Sequence, residues 1–191
     1  MSQHARLLRQ EFDSPLGPLV CIVAAAEGLE SLCLLEFHDR PRLPREVPEL
    51  VAAFGAEPEN AGAALHDEVQ RQLAGYFAGG LRRFDLPLGT PGTGFQQKVW
   101  AALRQIPYGS TCSYSDLAVR IGSPGSQRAV GAANGANRIA IVIPCHRVIE
   151  STGALRGYGG GLARKRWLLE LEGALSPAVG LFDAPAGAGA P

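Results

Sequence analysis

The chain has 191 residues, of which 46% are hydrophobic and 19% are charged, with a formal net charge of zero. This composition is sufficient to bury a core, and the length allows one large or two small domains. No apolar run reaches the length of a membrane-spanning helix, and the first residues lack a secretory pattern. We therefore expect a soluble, cytoplasmic globular protein with no membrane partner.

Charge is distributed unevenly along the chain. Residues 1–94 carry 8 Lys and Arg against 13 Asp and Glu, whereas residues 95–173 carry 10 against 4. A basic C-terminal half suits a polyanionic partner, although two ordinary solvated surfaces would explain the same numbers. The four cysteines are scattered without a C-x-x-C pair, so neither a metal site nor a redox pair is indicated.

The first 87 residues are typical of a sheet followed by a helix. Apolar runs predict strands at RLLRQEF, LVCIVAA and LESLCLLEF, the last two forming a hairpin around Gly28. Apolar residues at helical spacing predict a helix over ALHDEVQRQLAGYF. The Gly- and Pro-rich residues 88–94 are predicted to link an N-terminal domain (1–87) to a second domain (95–173). Residues 174–191 are predicted to be a disordered tail.

The second domain is predicted to be mostly helical. FQQKVWAALRQI and the segment from about residue 163 to 172 each predict a helix. Between them, YSDLAVRI, the turn GSPG and SQRAVGAANGAN have the outline of a helix-turn-helix. Around Arg128 the second of these helices is rich in Ala and Gly, and each glycine weakens a helix by roughly 1 kcal/mol. Such small side chains allow close approach to a DNA groove or, equally, tight packing on a neighbouring helix.

The segment IVIPCHRVIE (141–150) raises the question of chemistry. A lone cysteine in an apolar strand is usually inert core. However, Pro144 argues against a regular central strand, and His146 and Arg147 place cationic groups beside Cys145, which favours a thiolate. Neighbours in a strand point to opposite faces, so Cys145 and His146 need either a bend in the backbone or a bridging water. Glu172 ends a helix where the dipole disfavours a carboxylate, so it either orients His146 or is an ordinary surface glutamate.

PCHRV, followed by GYGGG and RKRWLLELEG, closely resembles the O6-alkylguanine-DNA alkyltransferase (methylated-DNA–protein-cysteine methyltransferase) family. The resemblance covers most of residues 95–173, and SPLGPLV and EGL weakly echo the family's N-terminal domain. It implies an α/β N-terminal domain with an antiparallel sheet and a mostly α C-terminal domain with a helix-turn-helix.

The same resemblance implies direct-reversal DNA repair by a monomer. The family binds double-stranded DNA and flips the damaged base into a pocket, because the alkyl carbon cannot be attacked in line inside the stack. The alkyl group of O6-alkylguanine, or of O4-alkylthymine, then moves irreversibly to a cysteine. The thioether product is not readily cleaved by water, so each molecule acts once, without a metal, nucleotide or other cofactor.

The resemblance also implies roles for individual catalytic residues. Cys145 is the alkyl acceptor, His146 is a base that acts through a water, and Glu172 orients His146. Asn137 braces the active-site turn. Tyr114 pushes the target phosphate round and donates a proton to guanine N3, which matters because guanine otherwise leaves as an anion.

DNA and pocket contacts are implied in the same way. Arg128 enters the base stack and fills the gap left by the flipped base. The further DNA contacts are Gln96, Ser113, Tyr114, Ser115, Ser123, Ala129, Gly131 and Ser151. The pocket residues are Asn134, Val148, Tyr158, Gly159 and Lys165, with the N–H of Gly159 able to reach O6. Each residue taken alone also has an ordinary structural interpretation, such as a solvated charge for Arg128.

The sequence departs from the family pattern at three positions. Where the family commonly has Asn-Pro and a further proline two residues on, this chain has Arg138 and Ala140. These residues should loosen and widen the pocket wall and add a cation beside the site. Arg156 should narrow the entrance, so we expect efficient repair of methyl adducts and leave bulky ones open. We predict no metal, because no zinc set is convincing among His4, Cys21, Cys33, His38 and His66.

Three other functions are alternatives to a single-turnover repair transferase. A non-catalytic relative that binds alkylated DNA and recruits other repair lacks the cysteine that is present here as Cys145. A cysteine hydrolase built on Cys145 and His146 needs an oxyanion hole, for which nothing else in the sequence argues. A transcription-activating sensor with a metal–thiolate N-terminal domain needs a cysteine cluster that this chain lacks.

Overall fold

A computed structural model describes residues 5–176 of the chain. Its N-terminal half is built on the strands β1 (Arg6–Phe12), β2 (Leu19–Ala26) and β3 (Leu29–Phe37), which form an antiparallel meander. The short strand β4 (Pro58–Asn60) adds to β1 in parallel, so the strand order is β3-β2-β1-β4. The predicted hairpin turns at Glu27 and Gly28, whose φ values of 53° and 78° suit a tight two-residue turn.

Two helices cover the sheet. Helix α2 (Ala64–Phe77) begins and ends where its apolar spacing predicts, and it packs on one face of the sheet. Helix α1 (Leu43–Phe54) was not predicted, because Pro44 and Pro48 fall in its first two turns and obscure the pattern. Proline is tolerated at the start of a helix, where the backbone N–H has no helical partner. Leu43 and Leu50 of α1 belong to a hydrophobic cluster with sheet residues such as Leu7, Ile22 and Leu34.

The C-terminal half is mostly helical, as expected. It contains α3 (Gly94–Leu103), α4 (Tyr114–Arg120), α5 (Gln127–Gly135) and α6 (Leu162–Leu171). The two-residue strands β5 (Cys112–Ser113) and β6 (Val148–Ile149) pair in parallel. Helices α4 and α5 are joined by a turn with left-handed glycines at Gly122 and Gly125, which gives the predicted helix-turn-helix. The predicted fold class is therefore confirmed.

Strand β3 fastens the two halves together. On one side the N–H of Leu32 donates to Pro87 O, in the segment that leads out of the N-terminal half. Further along, the N–H of Leu35 donates to Arg138 O, and the N–H of Ala140 donates to Leu35 O at 2.7 Å. One hydrophobic core runs from the sheet into α3, α5 and α6. The chain just before the active-site turn is thus held by an N-terminal strand.

Two predictions concern the ends of the chain and its relation to membranes. Within residues 5–176 no helix is both long and apolar enough to cross a membrane. The predicted disordered tail, 174–191, lies outside the described residues from 177 onward. Its first residues close the end of α6, where the N–H groups of Ala174 and Leu175 both donate to Leu169 O.

Candidate active site

The segment 141–150 is a compact turn, whereas its β-branched residues favour a strand. Only Val148 and Ile149 are in a strand, and Cys145–Arg147 form one turn of 3-10 helix after Pro144. Ile141 has a φ of 70°, a strained conformation for a β-branched residue. Such strain persists only where the surroundings hold it. The backbone bend that a Cys–His arrangement needs is therefore built into the turn.

Two asparagines from the end of α5 brace this turn. The Nδ2 of Asn137 donates to Ile143 O at 2.9 Å and to Ile139 O at 3.4 Å, while its Oδ1 accepts from Ile139 N at 3.1 Å. The Nδ2 of Asn134 lies 3.5 Å from Cys145 O. Both side chains are buried. These hydrogen bonds connect the end of helix α5 to the cysteine-bearing turn.

Cys145 is a protonated thiol in this environment. Its side chain is buried, and burial raises the pKa to about 11, with the Glu36 carboxylate acting in the same direction. The side chains of Asn137, Arg40 and Lys165 act in the opposite direction but more weakly. The thiol therefore needs a base before it can act as a nucleophile.

The prediction that His146 and Arg147 stabilise a thiolate at Cys145 is wrong in this structure. His146 is buried, and burial lowers its pKa, so the imidazole is neutral. The guanidinium of Arg147 forms an ion pair with Glu172. Neighbours in sequence thus supply a base and an anchor, and neither adds a positive charge that would lower the pKa of the thiol.

Glu172 is the hub of a buried hydrogen-bond network. Its Oε1 accepts from Tyr76 OH at 2.6 Å, from His146 Nε2 at 2.8 Å and from Arg147 Nη2 at 3.0 Å. Its Oε2 accepts from Arg147 Nε at 2.9 Å and lies 3.5 Å from Gly109 N. Burial acts to raise the pKa of Glu172, but the hydrogen bonds and charges of His146 and Arg147 together outweigh burial and lower the pKa to about 2. The carboxylate is therefore ionised, and the surface alternative is wrong.

The hydrogen bond to Glu172 fixes the tautomer of His146. A carboxylate only accepts, so Nε2 carries the proton and Nδ1 holds the free lone pair. Nδ1 is buried and has no hydrogen-bond partner among the described residues. The basic atom of the imidazole is thus the one that does not face Glu172.

Sequence reasoning missed two members of this network. Tyr76 comes from α2, 96 residues before Glu172, and was interpreted only as part of the buried face of that helix. The signal was its hydroxyl, since a tyrosine buried this deeply usually needs a hydrogen-bond partner. Gly109 contributes a backbone N–H, which leaves no trace in a sequence.

The predicted pocket residues lie around the cysteine-bearing turn. Val148 is buried, and the hydroxyl of Tyr158 is buried without a partner among the described residues. The Nζ of Lys165 donates to Val148 O and to Arg156 O, and burial lowers its pKa to about 8. A Cβ on Gly159 would lie 2.5 Å from Arg40 Nη1, so a side chain there would have to displace the Arg40 guanidinium.

Arg40 belongs to a buried ionic cluster that was not predicted. It forms ion pairs with Glu36 and with Glu46, and its Nη2 also donates to Gly135 O at 2.9 Å, at the end of α5. Burial raises the pKa of Glu36, and the Arg40 guanidinium opposes this shift and favours the carboxylate. The signal was a glutamate inside the apolar run LESLCLLEF. This cluster places a guanidinium of the N-terminal half against Gly159 and the end of α5.

Helix α5 presents a small-residue face to solvent. Arg128 and Ala129 are exposed, whereas Val130 and Ala133 face the core. A Cβ on Gly131 would meet only the Tyr114 ring, at an ordinary 3.8 Å. Packing within the chain therefore does not require glycine at this position, which favours close approach by a partner outside the chain.

Tyr114 begins α4 beside this face. Its ring is half-buried, and burial raises the pKa of the phenol, with the charge of Glu150 adding to the effect. The phenol hydroxyl lies 3.2 Å from the position that a Cβ on Gly157 would take. Tyr114 is therefore protonated. Its ring lies between Gly131 of α5 and the loop that contains Gly157.

The remaining residues predicted to contact DNA differ in their exposure and in their hydrogen bonds. Ser113 caps α4, accepting from Asp116 N at 3.0 Å, and Gln96 completes the cap of α3 by accepting from Thr93 N at 2.8 Å. Ser115 and Ser151 are exposed, and Ser123 is half-buried. Ser113 and Gln96 thus already have structural roles at helix starts.

Comparison with known proteins identifies the family. Residues 94–174 match a family model described as the DNA-binding domain of 6-O-methylguanine DNA methyltransferase. A methylated-DNA–protein-cysteine methyltransferase of Mycobacterium tuberculosis is 48% identical over 172 residues, covering 90% of this chain and 96% of that protein. The chain belongs to the methylated-DNA–protein-cysteine methyltransferase family. A family member from Salmonella typhimurium is 43% identical over 171 residues, covering 89% of this chain and 98% of its own.

Solved structures of the family have the same fold. The crystal structure of Mycobacterium tuberculosis OGT in complex with DNA matches with a TM-score of 0.70 at 45% identity, covering 87% of this chain and 93% of that one. The O6-methylguanine-DNA methyltransferase of Pyrococcus kodakaraensis matches with a TM-score of 0.60 at 27% identity, covering 87% and 99%.

Two departures from the methyltransferase family pattern have structural explanations. Arg138 pairs with Glu49 and donates to Pro91 O at 3.3 Å, so it does not add the free cation expected beside the site. Ala140 is buried, and its N–H bonds to Leu35 O, which a proline could not do. That bond holds the wall that we expected to be loose. Arg156 is exposed.

Metal-binding side chains do not cluster near this methyltransferase site. Across residues 5–176, no group of three or more His, Cys, Asp or Glu side chains could hold a metal ion. The four cysteines are all free and buried. His4, which was considered as a zinc ligand, lies outside the described residues.

Proposed function

We propose that this chain is a methylated-DNA–protein-cysteine S-methyltransferase whose Cys145 takes the alkyl group from O6-alkylguanine, or from O4-alkylthymine, in double-stranded DNA. The observation that carries this assignment is a buried thiol on a braced turn, followed directly by a neutral histidine whose far nitrogen is held by an ionised glutamate. The relatives that bear this enzyme name support the same reaction.

The first step is removal of the thiol proton. A thiol with a pKa of about 11 is almost wholly protonated at neutral pH, so it needs a base. His146 Nδ1 takes the proton through a bridging water, as in general base catalysis. The imidazolium that forms is stabilised by Glu172, which already accepts from Nε2 at 2.8 Å. Arg147 and Tyr76 hold that carboxylate in place and keep it ionised.

The second step is displacement at the alkyl carbon. The sulfur lone pair forms the S–C bond while the C–O6 pair returns to guanine. Tyr114, whose raised pKa keeps it protonated until the base leaves, gives its proton to guanine N3, so the base leaves neutral. The Tyr114 phenolate then takes a proton from solvent, and His146 releases to solvent the proton that it took from the thiol, so one proton in all passes from the thiol to guanine. The product is a thioether without an activated bond, and the cysteine is not regenerated. The chain is therefore consumed in one turnover.

DNA binding uses the exposed face of α5. Arg128 fills the space left by the flipped base, while Ala129 and Gly131 let the helix backbone approach the groove. Tyr114, Gln96 and the serines at positions 113, 115, 123 and 151 contact the backbone. The excess of basic residues over 95–173 supports a polyanionic partner.

The flipped base enters the pocket above Cys145. The N–H of Gly159 donates to O6, Tyr158 and Val148 line the walls, and Asn134 and Asn137 hold the floor. Lys165 fixes the pocket loop by bonding to the backbone of residues 148 and 156. This arrangement recognises the leaving oxygen as well as the alkyl group.

The two halves of the chain have different roles in this reaction. Residues 95–173 bind DNA and accept the alkyl group, residues 1–87 support the pocket wall, and residues 88–94 join them. The chain acts as a monomer in the cytoplasm, where thiols stay reduced and Cys145 remains available. No metal or nucleotide takes part.

Intact-mass analysis tests the proposed function. The wild-type chain is incubated with a duplex that contains one O6-methylguanine, and Cys145→Ala serves as the matched control. We expect a gain of one methyl group per chain that saturates at one equivalent and does not occur in the control. An unchanged wild-type mass together with tight duplex binding would instead indicate a non-catalytic reader of alkylated DNA.

A further inference from the structure

A basic groove is lined in part by residues of the active-site turn. Its cavity of about 520 Å³ is lined by residues 82–84 after α2, residues 104–108 after α3, and Val142, Pro144 and Arg147 of the turn. We call it the arginine groove after Arg82, Arg83, Arg104 and Arg147. Neither Cys145 nor any residue of α4 or α5 lines it. The groove therefore adjoins the active site through Arg147 and the turn, but its exposed arginines lie outside the site already described.

Most of the positive charge in the arginine groove has no partner. Arg82, Arg83 and Arg104 are exposed, and none pairs with a carboxylate among residues 5–176. By contrast, Arg147 is buried and engaged by Glu172. Like charges gathered around one concavity repel one another and create a positive potential that attracts anions. The groove thus has the electrostatics of an anion-binding site.

The shape and lining of the groove narrow the class of anion. Phe84 and Tyr108 are partly exposed in it, and the guanidinium of Arg82 lies 5.7 Å from the centroid of the Tyr108 ring. A positively charged groove with aromatic side chains is the arrangement that binds single-stranded nucleic acid, whose bases stack while phosphates meet cations. In a single strand the bases are free to stack on such side chains, whereas in a duplex they are already stacked on one another.

We propose that the arginine groove binds single-stranded DNA, at the same time as the helix-turn-helix binds a duplex. The guanidinium groups of Arg82, Arg83 and Arg104 contact successive phosphates, and Phe84 and Tyr108 contact the bases. This second site goes beyond the proposed repair reaction. It gives the chain a way to remain attached to a strand while the helix-turn-helix engages a damaged duplex.

A ternary binding experiment tests this site. The Cys145→Ala chain is saturated with a duplex containing O6-methylguanine, and fluorescent octathymidylate is titrated while its anisotropy is followed. The groove variant carries Arg82→Ser, Arg83→Ser and Arg104→Ser in addition. A charge-matched control carries Arg6→Ser, Arg45→Ser and Arg71→Ser, which are exposed arginines outside the groove.

We expect octathymidylate to bind the complex of the parent and of the charge-matched control, and to bind the groove variant at least about tenfold more weakly. Loss of three phosphate contacts should also flatten the plot of log K against log salt by about 2, since each contact on a single strand contributes about 0.7. No binding to the parent complex, or equal binding to the groove variant, would overturn the proposal.

Two further arms separate the possible sources of a positive result. Inorganic tripolyphosphate is titrated into the same chains by calorimetry. Binding of tripolyphosphate without octathymidylate would show a small-anion site and would overturn the assignment to a nucleic-acid strand. Single-turnover methyl transfer is measured on a chain that retains Cys145 and carries the three groove substitutions. We expect an unchanged rate on the duplex, so that failure of the repair function and failure of the groove are distinguishable.

Discussion

Replacing Glu172 with glutamine removes a buried carboxylate and keeps the shape of the side chain. In the folded chain the pKa of Glu172 is held at about 2, below its ordinary 4.5, because the hydrogen bonds and charges of His146 and Arg147 outweigh burial. At 1.36 kcal/mol per pKa unit, this difference contributes about 3 kcal/mol to stability at neutral pH. The loss of a partner from a buried ion pair typically costs a similar amount, about 3–5 kcal/mol.

The pH dependence gives this prediction its sign. A carboxylate whose pKa is lower in the folded state stabilises the fold above the unfolded pKa of 4.5, and the contribution is lost as the pH falls through about 2. The stability difference between wild type and Glu172→Gln should therefore be largest at pH 7.5. At pH 3 the pH-dependent part should shrink to about 1.4 kcal/mol.

Urea unfolding at pH 7.5 and at pH 3 measures both quantities. Glu170→Gln is a matched control on the same helix, because Glu170 makes only a partly exposed i,i+4 pair with Arg166 at 3.5 Å. Such pairs contribute about 0–1 kcal/mol. Equal costs for the two substitutions, or a Glu172→Gln cost that grows as the pH falls, would refute the account of Glu172 as the ionised hub of the network.

Further predictions concern the base, its support and the pocket entrance. Because the pKa of His146 is below its ordinary 6.5, the rate of methyl transfer should be nearly independent of pH from 7 to 9 and fall at more acid pH. The His146→Ala variant should be slower, and its rate should rise as the pH approaches the Cys145 pKa of about 11. Parallel pH–rate profiles for the two proteins would contradict this prediction. Tyr76→Phe should cost about 1.5–3 kcal/mol in urea unfolding. It should also move the acid limb of the wild-type profile to higher pH, because Glu172 then accepts more strongly from His146; an unmoved limb would leave Tyr76 with a purely structural role. Arg156→Gly should speed transfer from benzylguanine relative to methylguanine, and an unchanged ratio would remove Arg156 from the entrance.

Local patterns predicted the elements whose sequence is locally consistent. The strands β1 to β3 follow from apolar, β-prone runs, the helix α2 from period-3.6 apolar spacing, and the helix-turn-helix from its central GSPG turn. Helix α1 was missed because its prolines favour other conformations when read without position. Strand β4 was missed because three residues that pair in parallel with β1 have no local signature.

The site shows the same division between local and long-range information. The resemblance identified Cys145, His146 and Glu172, but only the fold brings Glu172 to the imidazole across 26 residues. Residues of the N-terminal half, such as Tyr76 and Arg40, act across 96 and 95 residues through side-chain contacts. Local sequence also suggested that Arg147 activates the thiol, whereas the turn of 3-10 helix directs it to the glutamate.

Transfer of a labelled methyl group tests the central claim most directly. A duplex with one O6-(deuterated methyl)guanine is incubated with the chain, which is then digested, and the labelled peptide is located by mass spectrometry. The account predicts one label per chain, on the sulfur of Cys145, and none in Cys145→Ala. Label on Cys21, Cys33 or Cys112, or on no cysteine while the duplex is still repaired, would contradict it.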